Sequence, residues 1–216
     1  MKFILETIDR TTACPVRSFL IEVPDSSVIS SLLEDEEFDA ERHYELDAHE
    51  AARFSSHFDF SVGESASGIL RPRHWVDDLP YQVHTGRELA LMLEGTKPFA
   101  AFSEEYPLSI DDSVIPEQLF DRYVADGRFL KREYVDTEIL KGYRTRRVLY
   151  ARPDEAWRID AYILLWHMGQ VTGWNESLER MEGFLLGYEE WQTDAYIRAA
   201  KARAGASQPN SPSGSF

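Results

Sequence analysis

The chain has 216 residues and carries 38 acidic against 23 basic side chains, a formal charge of -15, with 43% hydrophobic and 12% aromatic residues. That apolar content excludes wholesale disorder, and 12 Gly with 10 Pro exclude a collagen-like or linker-dominated chain. The acidity excludes a general nucleic-acid binder, because such proteins carry a positive footprint that displaces counterions from phosphate.

A single cysteine, Cys14, cannot close an intramolecular disulfide, so a reducing cytoplasm is the expected compartment. Met1 to Arg10 meets charge early and lacks the apolar core of about 7 to 15 residues that a secretory leader needs. The densest apolar run, Ala161 to Trp166, is far short of the roughly 18 residues of a membrane span. No membrane partner is expected.

Taken in chain order, residues 2–8 and 17–23 read as strands, the second with Phe19, Ile21 and Val23 alternating against Ser18, Leu20 and Glu22. A short helix follows Pro24-Asp25 and ends before the acidic run 34–37. Asp47 and Glu50 have the spacing of a capping box opening a helix to about Phe58, with Ala51, Phe54 and Phe58 on one side. Thr85 and Glu88 form a second box before a helix that stops at Gly95. Pro98 to Phe102 reads as a strand, and Pro116 opens a helix to about Val124. Phe129 to Val135 and Arg144 to Ala151 then form a strand hairpin.

From Pro153 the period becomes helical. One helix is apolar on most of its circumference, with Trp157, Ala161, Leu164 and Met168 as one stripe. After Gly173-Trp174-Asn175 a second helix carries Leu178, Met181, Leu185 and Tyr188 and runs on toward Arg203. Gly183 and Gly187 at i, i+4 in that helix predict a close approach by another element, within the molecule or across a homo-oligomer. Residues 204–216, rich in Ser, Pro and Gly, read as a disordered tail.

Charge is unevenly placed. Arg128 to Arg152 holds eight basic and three acidic residues, a local +5, which leaves -20 on the remainder. In this segment Arg132 and Arg146 are candidate anion-binding residues, because guanidinium offers a planar donor fork to oxyanions. The plainer alternative is that these arginines neutralise nearby carboxylates. Arg146 and Arg147 are adjacent, so a strand sends them to opposite faces.

Motifs for chemistry are sparse. Among His43, His49, His57, His74, His84 and His167 there is no H-E-x-x-H pair. His49 and His57 share a helix face but stand about 12 Å apart at 1.5 Å per residue, too far for one metal ion. Gly63 to Gly68 misses the G-x-S-x-G elbow by one residue. Neither phosphate-loop nor dinucleotide-turn glycines occur, so no cofactor is expected.

The densest polar segment is 71–88. There His74 or His84 is a candidate acid/base, Asp77 or Asp78 its orienting carboxylate, and Arg71 or Arg73 a candidate anion binder beside a helix N-terminus; the plainer alternative is an ordered connection whose charges pair locally. Aromatic residues crowd the C-terminal helices, where Trp174 and Trp191 are candidate partner-binding residues.

These patterns predict an α+β fold: one mainly antiparallel sheet of about five or six strands with flanking helices and a C-terminal helical hairpin over 153–203, all in one domain spanning 1–203. The expected role is an interaction or regulatory protein that engages a basic protein partner, since large negative charge steers such encounters. The alternative is an enzyme acting on an anionic small molecule or nucleotide through residues 71–88 and the Arg-rich hairpin 128–152.

Overall fold

The computed structural model describes residues 1–9, 14–35, 37–62, 67–106, 115–137 and 144–206. The chain forms two compact units, one from Met1–Asp78 with His84–Ala90, the other from Leu79–Val83 with Leu91 onward.

The first unit is a four-stranded antiparallel sheet in the order β2-β1-β4-β3, built from β1 (Lys2–Asp9), β2 (Cys14–Glu22), β3 (Tyr44–Leu46) and β4 (Ser67–Pro72). Alternation decides which side faces inward. Phe3 and Leu5 of β1, Ile21 of β2 and Leu70 of β4 bury against Ile29 of α1 (Ser27–Leu33) and Ala51 and Phe54 of α2 (Ala48–Phe58). The capping box expected before α2 is complete: Asp47 Oδ1 accepts the His49 and Glu50 N–H groups, and Glu50 Oε2 accepts the Asp47 N–H at 2.8 Å. A further helix, α3 (Glu88–Glu94), follows the turn at 85–87.

The second unit is a three-stranded antiparallel sheet in the order β5-β7-β6, from β5 (Phe99–Tyr106), β6 (Leu130–Thr137) and β7 (Arg144–Ala151). The expected hairpin is present, with Tyr134 paired to Arg147 and Leu130 to Ala151. Central β7 divides two packed faces. Tyr150 on one face stacks on Phe120 of α4 (Glu117–Ala125) at 4.5 Å. On the other face Leu149 and Ala151 join Phe99 against Ile159, Tyr162 and Leu165 of α5 (Trp157–Thr172) and Leu178 and Leu185 of α6 (Glu176–Leu186). The last helix, α7 (Glu190–Ala206), packs on α6.

The α+β class holds, but among the described residues seven strands in two sheets replace the single sheet of about five or six. β3 is three residues long and β4 contains Gly68 and Pro72, so neither offers a readable period-2 run. The C-terminal hairpin is a trio of helices. Gly187 lies outside any helix interior: at φ +84° it ends α6, its N–H bonding back to Gly183 and Phe184 carbonyls. Two cations secure the same end, Arg158 Nη1 donating to the Phe184 and Leu185 carbonyls at 2.7 and 3.1 Å and Lys97 Nζ to that of Leu186 at 2.8 Å. Of the segment read as a tail, 204–206 belong to α7 and 207–216 lie outside the described residues, as do 63–66 of the serine-glycine motif.

Candidate partner-binding surface

Segment 71–88 binds its own charges. Arg71, at the end of β4, places its fork on two carboxylates: Nη2 lies 3.0 Å from Glu6 Oε1 and 2.8 Å from Asp77 Oδ1, and Nη1 lies 2.9 Å from Asp77 Oδ2. Asp77 also accepts the backbone N–H of His74 at 2.7 Å. Burial pushes the Asp77 carboxyl up, yet the Arg71 and His74 hydrogen bonds outweigh it and hold the group below its ordinary value. The residue assigned to orient a histidine ring is thus bonded to the guanidinium assigned to an anion. Arg73 pairs with Asp78. His74 is exposed with its ring 5.7 Å from that of Trp75, and the His84 carbonyl accepts the Arg87 N–H in the turn before α3.

The Arg-rich hairpin divides across its sheet. Arg146 reaches Glu104, Glu117 and Glu133 at 2.7, 2.6 and 2.7 Å, and Lys131 reaches Glu117 and Asp121 at 2.6 and 2.8 Å. The Tyr150 hydroxyl donates to Asp121 at 3.0 Å, closing a network between β5, β6, β7 and α4. Arg132 meets Asp160 of α5 at 3.3 Å in an exposed pair. Of the other positive residues, Lys141 lies outside the described residues.

Arg147 takes the other face. It is buried, and its guanidinium lies 3.8 Å from the centre of the Trp166 ring. Beside it Tyr162 donates its hydroxyl to Glu182 Oε1 at 3.2 Å. Burial, with the nearby Glu179, pushes the Glu182 carboxyl up to about 7, against the opposing pull of Tyr162 and Arg147. The sequence reading missed this group, although a signal exists. Leu178, Glu182 and Leu185 stand at i, i+4, i+7, which places a carboxylate in line with the buried stripe, whereas Met181, read as part of that stripe, is exposed.

The C-terminal helices and the turn between α5 and α6 carry most of the exposed aromatic residues among those described. Trp174 and Trp191 are 40% and 47% exposed, and each indole is pinned by a glutamate: Trp174 Nε1 donates to Glu179 at 2.7 Å and Trp191 Nε1 to Glu189 at 2.8 Å. Trp174 leans on Trp166 at 5.2 Å, and Trp191 meets Tyr81 edge-on at 5.5 Å. Trp157 repeats the pattern, donating to Glu155 at 3.1 Å. Here the arrangement holds a cation: Arg158 Nε donates to the same Glu155 at 2.8 Å, with its guanidinium 4.7 Å from the Trp157 ring centre.

Among the described residues no three His, Cys, Asp or Glu side chains converge as metal ligands would, and no helix is long and apolar enough to cross a membrane. Comparison with known protein families, curated proteins and solved structures finds no match.

Proposed function

We propose that the protein is an interaction module that recognises a basic protein partner, with Trp174 and Trp191 as its anchors. The observation that carries this reading is the repeated indole–glutamate pair. A tryptophan whose N–H is held by a carboxylate presents its ring face to a cation and the carboxylate to the same charge. Such an indole also has little rotamer freedom left to lose on binding. Trp157 and Glu155 hold the chain's own Arg158 in this way; Trp174–Glu179 and Trp191–Glu189 offer the same constellation to arginine or lysine from a partner. The net charge of -15 steers such a partner to the molecule.

The test is a titration of tryptophan fluorescence with a peptide of alternating Arg and Gly, set against the same peptide with Glu for Arg. The Arg peptide is expected to quench saturably and to lose affinity as salt rises. W174A and W191A each weaken it about 5- to 30-fold. Equal response to both peptides, or unchanged affinity in both variants, overturns the reading.

A second reading, an enzyme acting on an anionic small molecule, draws on Glu182, whose carboxyl is pushed up to about 7 beside Tyr162 and Arg147. It moves the chemistry from residues 71–88 to the face between β7 and α6. Its check is whether inorganic phosphate or a dicarboxylate perturbs the NMR signals of Arg147 and Trp166.

A further inference from the structure

Helix α5 has two apolar sides. Ile159, Tyr162 and Leu165 are buried on the sheet, while Trp157, Leu164, Met168 and Val171 are exposed, Leu164 and Val171 at 61% and 81%. With the half-buried Ala161 between them, these residues follow one another at steps of four, three, four and three, the spacing of a heptad seam that receives another helix. Met181 and Phe184 of α6 extend the patch, with Phe184 6.2 Å from Trp157. Large apolar side chains gathered in this way mark an interaction surface rather than scattered exposure.

The pattern along α5 is self-complementary. Turned antiparallel about a two-fold axis at Leu164, the seam sets Trp157 against Val171 and Ala161 beside Met168, a large residue against a smaller one each time, with Leu164 meeting its own copy. Flanking the seam, Asp160 lies four residues before Leu164 and His167 three after it, so the same rotation sets acid beside histidine twice. Within one chain Asp160 meets Arg132 at 3.3 Å and His167 lies 3.8 Å from Asp136, so the flanks form a polar rim around an apolar line.

We propose that a second copy of this chain packs on the α5 seam, antiparallel, about a two-fold axis near Leu164. A two-fold contact uses one patch on both partners, which is what a seam with large-to-small and acid-to-histidine correspondence about its own midpoint provides. The inference is independent of the basic-partner reading, which uses Trp174 and Trp191.

The experiment is disulfide trapping in the full chain with its one cysteine replaced (Cys14→Ser). L164C is placed at the axis and cross-links to itself. V171C, the more exposed position, lies about 10 Å along the helix from the axis, so its two copies stand about 20 Å apart, beyond the roughly 7 Å Cα separation that a disulfide spans. L164C is expected to form covalent dimer at least about tenfold faster than V171C. The unmodified chain sediments as a dimer at tens of micromolar, and L164E sediments as a monomer with an unchanged circular dichroism spectrum. A monomeric parent, a dimeric L164E, or V171C cross-linking as fast as L164C overturns the proposal, the last of these showing random collision or a different partner for the face.

Discussion

Arg146 and Arg147 are neighbours on β7, yet their guanidinium groups lie on opposite faces of the sheet, one among three carboxylates and the other 3.8 Å from the centre of the Trp166 ring. The alternation of a strand produces this separation. It divides the positive segment of the sequence into two environments, of which the Arg146 side is internally compensated.

Removing Arg146 tests that compensation. Glu104 has only 4% of its side chain exposed and shares the guanidinium with Glu117, so R146M leaves two carboxylates facing each other without their common cation. The expected cost is about 3 kcal/mol in urea denaturation, the range for a buried pair that loses one member. R146K recovers part of it, since an ammonium cannot address three carboxylates with a planar fork. A cost below about 1 kcal/mol in R146M places the network with exposed surface pairs.

Gly183 reports on the packing of α6 against α7. A Cβ built at this position comes 2.5 Å from Thr193 Oγ1 and 3.1 Å from its methyl group, and Thr193 is buried. Alanine in a helix interior otherwise gains about 1 kcal/mol over glycine. G183A is therefore expected to be net destabilising by about 1–2 kcal/mol, because overpacking outweighs propensity. In the double variant G183A/T193A the clash is gone and the propensity gain returns. Thermal or urea denaturation of the four proteins should show a coupling of at least about 1 kcal/mol between the sites; additivity rejects the steric account.

What could be read ahead of the structure follows from how local each feature is. The strands at 2–8 and 17–23, the Asp47 capping box and the 129–151 hairpin rest on alternation or on bonds within a few residues, and all are present. The close approach at Gly183 was legible because a helix-interior glycine needs a reason, and Gly187 is closely approached as well, a Cβ there falling against Pro98 Cδ; only its place differs, since a left-handed cap and an interior glycine look alike in sequence. The division into two sheets depends on the pairing of β4 with β1, residues more than 55 positions apart, which no local period records. Likewise the bond from Arg71 to Glu6 spans 65 residues, so the local pairs of segment 71–88, Arg71 with Asp77 and Arg73 with Asp78, lie within reach of spacing arguments while the tie to β1 does not.

Glu182 gives the sharpest pH dependence. Tyr162 faces it from α5, Arg147 from β7 and Glu179 from its own helix, and Glu182 in turn helps raise the Tyr196 hydroxyl on α7. Burial is the largest influence, and the folded carboxyl rises from 4.5 to about 7. The folded state thus holds one more proton than the unfolded chain between those values. Stability from this group is fully present below about pH 4.5, declines as pH rises toward 7 and is flat above it, by at most about 3 kcal/mol. E182Q mimics the protonated form and keeps the hydrogen bond with Tyr162. The variant should match the parent near pH 4.5 and exceed it by up to about 3 kcal/mol at pH 8 in urea denaturation. Carboxyls held low by their partners, such as Asp77, act in the opposite sense, losing stability as pH falls below their ordinary range. They are common to both proteins and cancel in the difference. A difference that does not change between pH 4.5 and 8 means that the Glu182 carboxyl titrates where an exposed one does.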